Sequence, residues 1–589
     1  LQKTMQVTGR GADPRPGGLP GLAVMGSSGS EAMLGETARR IADGKGPEEV
    51  ALALAISALG RRDFEETIRR CLEALDANER NGQAWHVLAI SHEARKDFVN
   101  ALHCYEAALA LLPGNSIVLL NLSRLALTIG LSDIAERLIR VLLASDPGNP
   151  EGTNNLAIAL AAQGRGDEAI DLLRAFLEGQ HGHPNLLNTL GTLVSEERDL
   201  ATANLLFTEA LRMAPGMASA AYNLGDNLLV MGQASEAIVW INAALDTPPP
   251  AEHRPAMVVA RALARLSMGD LEEGWKDYEA RNDPNWPGFI NNLRTEDLWR
   301  PGEPLAGRRL LVLGEQGLGD EVMFAGLLPD VKARIGATGE LIFATEPRLV
   351  DLMSRSFPDT RVELHRVAEV GGHRVRIVPG VPEGGCDVWT PIASLLQEFR
   401  PSLPSFAKAG GYLRPDRGKV AYWRRTLEGV PPGPRVGLLW KSAVMAAGRK
   451  RAFSLFDAWE PILRTPGVTF VNLQYDDCEA ELQLARDQFG VEIWNPPGID
   501  LKQDLDDLTA LSCALDLVIG FSNATFNLAA AAGAPAWLIA AKGAWTALGT
   551  DRYPWYPQVR LYQPAAFAEW GPVMDRVAGD LAREFGARV

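Results

Sequence analysis

The first half of the chain repeats one pattern of apolar, small and polar positions every 34 residues. In residues 82–115, large apolar side chains, alanines and a late proline follow one another as they do in two helices joined by a turn. The positions that define this unit are Trp85, Leu88, Ala89, Ala101, Tyr105, Ala108 and Pro113. The same kinds of residue return at steps of 34 up to Pro249, and weaker copies flank them. The pattern predicts a superhelix of six or seven helix pairs over residues 48–285.

This 34-residue unit resembles the tetratricopeptide repeat, whose stacked helix pairs form an α-solenoid. Solenoids of this kind usually present an extended binding surface and rarely carry chemistry, so we expect the repeats to recruit a partner protein. Residues 1–47 precede the repeats and contain the linker-like GSSGS, so they are predicted to be a flexible tail, a tag or a linker.

From residue 308 the pattern changes to short apolar runs that alternate with amphipathic stretches. The runs are LLVLG, LIFAT, CDVWT, RVGLLW, TFVNLQ, LDLVIG and AWLIA. Such alternation predicts an α/β region with a mostly parallel sheet. A helix and a Pro/Gly-rich break divide the domain 308–589 into two Rossmann-like lobes, 308–412 and 434–560, followed by a closing helix. Residues 286–307, rich in Pro, Gly and Trp, are predicted to connect the repeats to this domain.

Composition and charge argue against several classes of function. The formal net charge is −15, which argues against general binding of nucleic acid or anionic membranes, because both require a basic face. The five cysteines form no CxxC pair, as expected for reduced thiols in a cytoplasmic protein. The apolar stretch 528–541 is too short to span a bilayer, so no membrane insertion is predicted. The acidic run that begins at Asp504 opens a predicted helix, where capping is the simpler role, and no metal site is predicted.

The first corner with candidate chemistry is GEQGLGDEVM, residues 314–323, between a predicted strand and a predicted helix. It lacks both GxGxxG and a following GK[ST], so it is neither a dinucleotide fingerprint nor a P-loop. Its glycines alone indicate only a tight corner. Asp320, at the predicted helix start, is therefore either an N-cap or a carboxylate that faces a ligand.

The second corner, GFSNA at 520–524, has the form of a hydrolase nucleophile elbow. That mechanism normally needs a later histidine, whereas all eight histidines precede Ser522, so we interpret the corner as an anion site at a helix start. The basic loop after the strand RVGLLW is a further anion candidate, with a solvated surface loop as its alternative. The residues predicted to bind the anion are Lys441, Ser442, Arg449, Arg451, Ser522, Asn523, Ala524, Thr525 and Asn527.

Taken in order, these segments resemble the glycosyltransferase domain that follows tetratricopeptide repeats in some bacterial proteins. The resemblance spans residues 308–589 and includes GEQGLGDEV, the basic loop after VGLLW, VNLQ, the stretch from DLDDL to AWLI, and DRYPWYPQVRLYQ. That domain is related to the heptosyltransferases and has the two-lobed GT-B fold, which the resemblance implies here. The layout is also similar to that of bacterial flagellin glycosyltransferases and of O-GlcNAc transferase.

The resemblance implies roles for single residues. In heptosyltransferases, the aspartate of the GD pair after the first strand is the proposed base that deprotonates the acceptor hydroxyl, and it corresponds to Asp320. The basic residue after the first strand of the second lobe contacts donor phosphate and corresponds to Lys441. The family's late D-T-x-x-x-H reads Ser522, Asn523 and Asn527 here, so the acid and the histidine are replaced.

The activity implied is an inverting, metal-independent transfer of a sugar from a nucleotide-sugar donor to Ser or Thr of an acceptor protein. The flagellin analogy implies a CMP-nonulosonic acid donor, such as CMP-pseudaminic acid, and flagellin docked on the repeats as acceptor. The O-GlcNAc analogy implies a UDP-sugar. Two alternatives are a repeat scaffold with an inactive transferase domain and a transferase that acts on lipid or polysaccharide.

A polar position recurs in the first helix of successive repeats. It is occupied by Asn121, Asn155, Thr189 and Asn223, each 34 residues after the last. An Asn side chain offers both donors and an acceptor to the backbone of an extended peptide, and O-GlcNAc transferase holds acceptor peptides with a similar asparagine ladder. The sequence leaves two interpretations open: acceptor binding, or stabilisation of the contact between neighbouring repeats.

Overall fold

The computed structural model describes residues 46–179, 182–247, 251–406, 410–442 and 451–586. Arg449 and most of the tail predicted at 1–47 lie outside these residues. The chain divides into two compact units, Leu1–Leu224 and Gly225–Val589.

The first unit consists of antiparallel helix pairs, as the 34-residue pattern predicts. Its helices are α1 Pro47–Gly60, α2 Phe64–Ala77, α3 Gly82–Ala94, α4 Phe98–Leu111, α5 Ser116–Thr128, α6 Ser132–Ser145, α7 Pro150–Ala162, α8 Gly166–Gly179, α9 Pro184–Glu196 and α10 Leu200–Met213. Helix α11, Ala218–Val230, contains the point of division. Side-chain caps set many of the starts; Asn115, for example, accepts hydrogen bonds from the backbone N–H groups of Ile117 and Val118.

Small residues occupy the places where paired helices touch, which explains why they recur in the sequence. Ala89, Ala101 and Ala108 are fully or almost fully buried. In α9, a Cβ added at Gly191 would lie 2.6 Å from a ring carbon of Phe207 in α10. The regular spacing of these positions therefore follows from close packing between helices.

The second unit begins with three more helices of the repeat type: α12 Ala234–Asp246, α13 Arg254–Ser267 and α14 Leu271–Tyr278. Trp275 of α14 is 1% exposed, and its indole N–H donates to the carbonyl of Arg400 over 2.9 Å. Leu266, Leu271 and Trp275 belong to the same hydrophobic core as the α/β region. The last helix pair is thus packed into the α/β core.

Two parallel sheets form the α/β region, in agreement with the alternating apolar runs. The first has the strand order β2-β8-β3-β4-β5 and the second β11-β10-β9-β12-β13-β14. Every pairing within these two sheets is parallel. Their strands are β2 Asp297–Leu298, β3 Arg309–Leu313, β4 Glu340–Thr345, β5 Arg361–Leu364, β8 Val388–Pro391, β9 Arg435–Leu439, β10 Thr469–Asn472, β11 Ile493–Trp494, β12 Leu517–Phe521, β13 Ala536–Ile539 and β14 Arg560–Tyr562.

A third, small sheet was not expected from the sequence. It has the order β1-β7-β6, with β1 Asn291–Asn292, β6 Arg366–Val370 and β7 His373–Ile377. The pair β6–β7 is antiparallel and turns at Gly371 and Gly372, both of which have positive φ. Its residues are mostly exposed, so they lack the apolar run that reveals a buried strand.

The helices of the α/β region cover the faces of the two large sheets. They are α15 Leu318–Ala325, α16 Leu328–Ile335, α17 Val350–Ser356, α18 Leu396–Phe399, α19 Arg417–Leu427, α20 Glu460–Leu463, α21 Glu479–Leu484, α22 Leu505–Ser512, α23 Ala524–Ala531 and α24 Trp570–Phe585. Short 3-10 segments lie at Glu279–Asn282, Pro347–Leu349, Ile392–Leu395, Leu403–Ser405, Phe456–Trp459 and Trp545–Ala547, and a π-helical turn at Ala485–Phe489.

Both faces of each large sheet are buried, which explains the continuous apolar runs. In β3, Leu310 and Val312 face the core that contains Trp275, whereas Leu311 and Leu313 face a second cluster. In the second sheet, Leu517 and Ile519 pack against the closing helix α24 through a third cluster. The strand order reverses between β9 and β12 and again between β3 and β8, and such switch points create crevices at the carboxyl ends of the strands.

Candidate functional site

The predicted corners lie at the two switch points. The loop 314–317 and α15 follow β3, and Ser522 and α23 follow β12. Lys441 follows β9, the other strand at the second switch point. The residues selected from the sequence are therefore placed where ligands bind in open parallel sheets.

The starts of α15 and α23 approach each other closely at Gly319. A Cβ added there would lie 3.3 Å from the amide nitrogen of Asn527 and 3.4 Å from the backbone nitrogen of Ala524. Contacts this short leave little room for any side chain at position 319. Glycine therefore permits the first turn of α15, with Asp320 next in sequence, to pack against the first turn of α23.

Asp320 is the third residue of α15 and is partly exposed. Its Oδ2 lies over Gly317, because a Cβ added at Gly317 would be only 2.9 Å from that oxygen. Three buried tyrosine hydroxyls are near enough to be influenced by the charge of this carboxylate. Burial raises the pKa of Tyr278, Tyr553 and Tyr556, and the Asp320 charge contributes to the rise in each.

Asn523 caps α23 and joins it to the loop after β9. Its side-chain oxygen accepts from the backbone N–H of Phe526 over 2.9 Å, and its side-chain nitrogen donates to the carbonyl of Lys441 over 3.4 Å. Asn527 donates to the carbonyl of Asn523 over 2.9 Å. Among the described residues, the Asn527 Oδ1 is buried and has no hydrogen-bond partner. Ser522 is exposed, while Thr525 is 1% exposed.

The Lys441 ammonium is held by acceptors in the segment that follows β10. Its Nζ donates to the carbonyl of Asp477 over 2.8 Å and forms an ion pair with Glu481. The side-chain oxygen of Gln474 accepts from the backbone N–H groups of Trp440 and Lys441, at 3.0 Å each, and so fixes the start of the loop. Ser442 follows and is partly exposed.

Arg451 is directed toward the repeat-type helix α11. Its guanidinium donates to the side chain of Asn227 over 3.0 Å and lies 3.3 Å from the carboxylate of Asp226. Arg451 and Lys441 are thus both paired with carboxylates. An anionic ligand that used either cation would compete with these acids.

A network of buried charges supports the 314–320 loop, and the sequence interpretation missed it. Arg376 is 4% exposed and donates to the carbonyls of Gly314, over 2.6 Å, and Glu315, over 3.0 Å. The Glu315 carboxylate accepts from Arg281, over 3.2 Å, and from the backbone N–H of Ala393. The sequence shows the acids of this corner but not the arginines that bond to it, because Arg281 and Arg376 come from distant segments.

Glu321 fixes the other side of the same corner. It is 1% exposed and accepts hydrogen bonds from the Thr345 hydroxyl and from the backbone N–H of Glu346, at 2.8 Å for the latter. A Cβ at Gly314 would lie 2.1 Å from the Glu321 carboxylate, so that glycine makes room for the buried acid. The corner is therefore rigidly supported from β4.

The polar ladder of the repeats is buried, and three of its four members, Asn121, Thr189 and Asn223, bond to the preceding repeat. The side chains at 121, 155, 189 and 223 are between 0% and 7% exposed. The bonded pairs, 35 residues apart, are His86 with Asn121 at 3.0 Å, Asn154 with Thr189 at 2.6 Å, and Asn188 with Asn223 at 2.9 Å. Asn155 accepts from its neighbour Asn154. This geometry favours the contact between repeats over acceptor binding, which stays a prediction.

Two further properties concern the described residues as a whole. No group of three or more His, Cys, Asp or Glu side chains in the described ranges is arranged to hold a metal ion. Within the same ranges, no helix combines the length and the apolar character needed to cross a membrane. The five cysteines are free thiols, four of them buried.

Comparison with known proteins agrees with the helix pairs of the first half. The tetratricopeptide repeat family model matches residues 52–116, 120–184 and 188–252. A tetratricopeptide repeat protein from Parabacteroides merdae has a crystal structure similar to 40% of this chain and 93% of its own, with 17% identity and a TM-score of 0.35. An N-terminal acetyltransferase A complex subunit-like protein of Schizosaccharomyces pombe is 32% identical over 87 residues, 15% of this chain and 12% of that protein.

One relative extends over both the repeats and the α/β region. Protein FlbA of Caulobacter vibrioides is 43% identical over 569 residues, which are 96% of this chain and 94% of FlbA. The chain therefore belongs to the family of the Caulobacter protein FlbA.

Proposed function

We propose that the chain is an inverting protein O-glycosyltransferase whose two parallel sheets are the lobes of a GT-B fold. The observation that carries the proposal is the contact of Gly319 with the first turn of α23, which brings Asp320 beside a helix start suited to phosphate. A carboxylate next to an anion-binding helix start supplies the two groups that metal-independent glycosyl transfer needs.

In the proposed reaction, a Ser or Thr hydroxyl of the acceptor attacks the anomeric carbon of a nucleotide sugar. Asp320 accepts the hydroxyl proton as the new C–O bond forms. The bond between the anomeric carbon and the phosphate oxygen breaks at the same time, and the nucleotide leaves with both electrons of that bond. The backbone N–H groups at the start of α23 and its helix dipole stabilise the charge on the leaving phosphate.

We propose that the donor is a nucleotide sugar, either a CMP-nonulosonic acid or a UDP-sugar, and that the acceptor is flagellin recruited by the repeats. The buried ladder leaves other surfaces of the repeats for this contact. We propose that transfer takes place in the cytoplasm, before the acceptor is exported.

A second candidate is a repeat scaffold with an inactive transferase domain. Lys441 and Arg451 are both engaged by carboxylates, and Ser522 and Asn527 replace the acid and the histidine of the related enzymes. A scaffold would bind the acceptor through the repeats without binding a nucleotide.

The test is a transfer assay with the full chain, flagellin from the same organism, and several nucleotide sugars. Intact mass of flagellin is measured with and without the chain. The expected result is a mass increase of one or more sugar units, which falls about 10²-fold or more in rate in Asp320→Asn, the usual scale for loss of a general base. Nucleotide binding and melting temperature are measured on the same variant and should be unchanged.

Two results would contradict the proposal in different ways. An Asp320→Asn variant that transfers sugar at the normal rate would show that Asp320 is not the base and that it serves only at the start of α15. A chain that binds flagellin but neither binds nor consumes any nucleotide sugar would support the scaffold.

A further inference from the structure

A cluster of aromatic side chains lies beside the candidate site, and two of its rings reach solvent. Trp275 and Trp555 are buried, at 1% and 7% exposure, whereas Tyr278 and Trp545 are only partly buried. The rings of Tyr278 and Trp545 are 6.0 Å apart between centroids and are tilted by 35°. Trp545 also makes edge contacts with Trp275 and Trp555, which hold its ring in place. The pair is therefore a rigid, partly exposed aromatic surface.

Tyr278 is tied to the loop that carries Asp320. The Arg281 guanidinium lies 4.7 Å from the centre of the Tyr278 ring, and the same group bonds to Glu315 over 3.2 Å. Burial of its hydroxyl is the main cause of the raised pKa of Tyr278, and the nearby Asp320 charge is the second. The part of Tyr278 that reaches solvent is thus not its hydroxyl.

Trp545 is tied to the start of α23. Burial raises the pKa of Tyr553 to about 12, and hydrogen bonding of its hydroxyl to the side chains of Ser522 and of Thr546, the residue after Trp545, opposes this rise. The same hydroxyl lies 3.6 Å from the sulfur of Met323 in α15. The aromatic pair is thus joined to Asp320 on one side and to the phosphate-binding corner on the other.

We infer that Tyr278 and Trp545 form a platform for the apolar face of the pyranose ring of the donor. The inference rests on the proposed function, in which the sugar must lie between the base and the helix start that receives the phosphate. Aromatic rings offer a large, flat apolar area at low cost in conformational entropy, and ligand sites are commonly lined in this way. One side of the platform comes from α14, the last helix of the repeat type, so that helix takes part in binding the donor.

The first test compares nucleotide and nucleotide-sugar binding by calorimetry in Trp545→Leu, Trp545→Phe and Tyr278→Leu. The probes are UDP with UDP-N-acetylglucosamine, and CMP with CMP-N-acetylneuraminic acid. The leucine variants should weaken binding of the sugar nucleotide about 3- to 10-fold, as expected for loss of one aromatic contact. Binding of the bare nucleotide should be unchanged, and Trp545→Phe should retain most of the affinity. Tyr422, an exposed aromatic residue on α19, provides the control: Tyr422→Ala should change neither the affinity for the nucleotide nor that for the sugar nucleotide.

A second measurement separates the platform from the proposed function. Saturation-transfer NMR with methyl pyranosides reports direct contact of the sugar with the protein and needs no nucleotide. Saturation that reaches the sugar in the wild-type chain and is lost in Trp545→Leu supports the platform. If the same protein binds no nucleotide, the platform stands and only the proposed function fails. No saturation transfer to any pyranoside overturns the platform. Equal weakening of UDP and UDP-N-acetylglucosamine in the leucine variants would also overturn it, because that result indicates a structural role.

Discussion

At the scale of residues, the candidate site contains cations that are already paired. Lys441 lies between Glu481 and the carbonyl of Asp477, and the carbonyl of Lys441 itself accepts from Asn523 at the start of α23. The backbone of Lys441 therefore lies at the candidate phosphate site, whereas its ammonium is bound to Glu481 and to the carbonyl of Asp477. A phosphate that binds there has to compete with Glu481 for this charge.

This competition predicts opposite effects of two substitutions. Lys441→Ala should weaken nucleotide binding by roughly 1.5–3 kcal/mol, the scale of a charge-assisted hydrogen bond. Glu481→Gln should strengthen it, because the ammonium is released. Glu479→Gln, two residues earlier on α21, is the matched control, since Glu479 bonds to Arg486 instead. Calorimetry with UDP and CMP measures the affinities, and unchanged affinity in both main variants would place Lys441 outside the site.

We expect His86 to make the stability of the repeats depend on pH. Burial lowers its pKa from 6.5 to about 4, and its Nε2 accepts from Asn121 in the neutral form. The unfolded chain therefore binds this proton more readily, and stability is lost as pH falls from about 6.5 toward about 4. The shift corresponds to roughly 3 kcal/mol at about 1.4 kcal/mol per pH unit.

The check is a comparison of melting temperatures of the wild-type chain and His86→Gln between pH 7 and pH 5. Gln can still accept a hydrogen bond from Asn121 but does not titrate. The wild-type chain should lose more stability than the variant over this interval. Equal losses would show that His86 does not carry the pH dependence.

The positions of single residues were predictable from the sequence where they depend on the local pattern. Asp320 and Asn523 stand at strand-to-helix corners, and the apolar runs before them reveal those corners. The partners were not predictable, because they come from distant segments: Glu481 for Lys441, Asp226 for Arg451, and Arg376 for the carbonyls of the first corner. The periodicity of a sequence does not predict pairs between residues that are far apart in the chain.

At the scale of elements, the contact between the first turns of α15 and α23 defines the candidate site. Each helix follows a strand at a switch point of its own sheet. Gly319 makes the contact possible, because a Cβ at this position would meet Asn527 and Ala524 at 3.3–3.4 Å. An added methyl group at this position would have to shift the first turn of α15 or that of α23 by a few tenths of an ångström.

Gly319→Ala tests this contact. Gly319 is the second residue of α15, where alanine should favour the helix by roughly 0.5–1 kcal/mol over glycine. We therefore expect an unchanged or slightly higher melting temperature together with at least about tenfold slower transfer, because small displacements of reacting groups are costly. The matched control is Gly571→Ala, at the second position of α24, where an added Cβ would meet nothing within 4 Å. Loss of activity in both variants would refute the argument.

The elements themselves follow the sequence pattern to different degrees. Buried parallel strands such as β3 and β12 are continuous apolar runs and were predicted as such. The hairpin β6–β7 was not predicted, since its exposed residues alternate without an apolar face long enough to recognise. Buried elements can thus be recognised from their pattern of apolar residues, whereas an element at the surface has fewer apolar residues and is harder to predict.

At the scale of the whole molecule, the chain divides inside the repeats and not after them. The sequence places a connector at 286–307, where the composition changes. The structure groups α12, α13 and α14 with the α/β region, and Trp275 and Arg281 are buried in it. Arg281 is the ion-pair partner of Glu315, which belongs to the loop before Asp320.

The last helix pair should therefore be needed for the α/β region to fold. A fragment that begins at residue 286 exposes the core covered by Trp275 and leaves Glu315 buried without Arg281. Loss of one partner of a buried ion pair costs about 3–5 kcal/mol, and loss of a buried large apolar side chain adds about 2–3 kcal/mol. Together these approach the whole stability of a typical domain. We expect fragment 286–589 to lack a cooperative thermal transition, whereas fragment 225–589 should unfold cooperatively and, under the proposed function, bind nucleotide as the full chain does.

Fragment 225–589 with Trp275→Ala is the intermediate control and should unfold cooperatively at a lower temperature. Circular dichroism on heating measures the transitions, and size-exclusion chromatography shows whether each fragment is monodisperse. A cooperative transition of fragment 286–589 within a few degrees of that of 225–589 would contradict the argument. The last repeat helices would then be an attachment to an independently stable α/β region, and Tyr278 could be removed without loss of the fold.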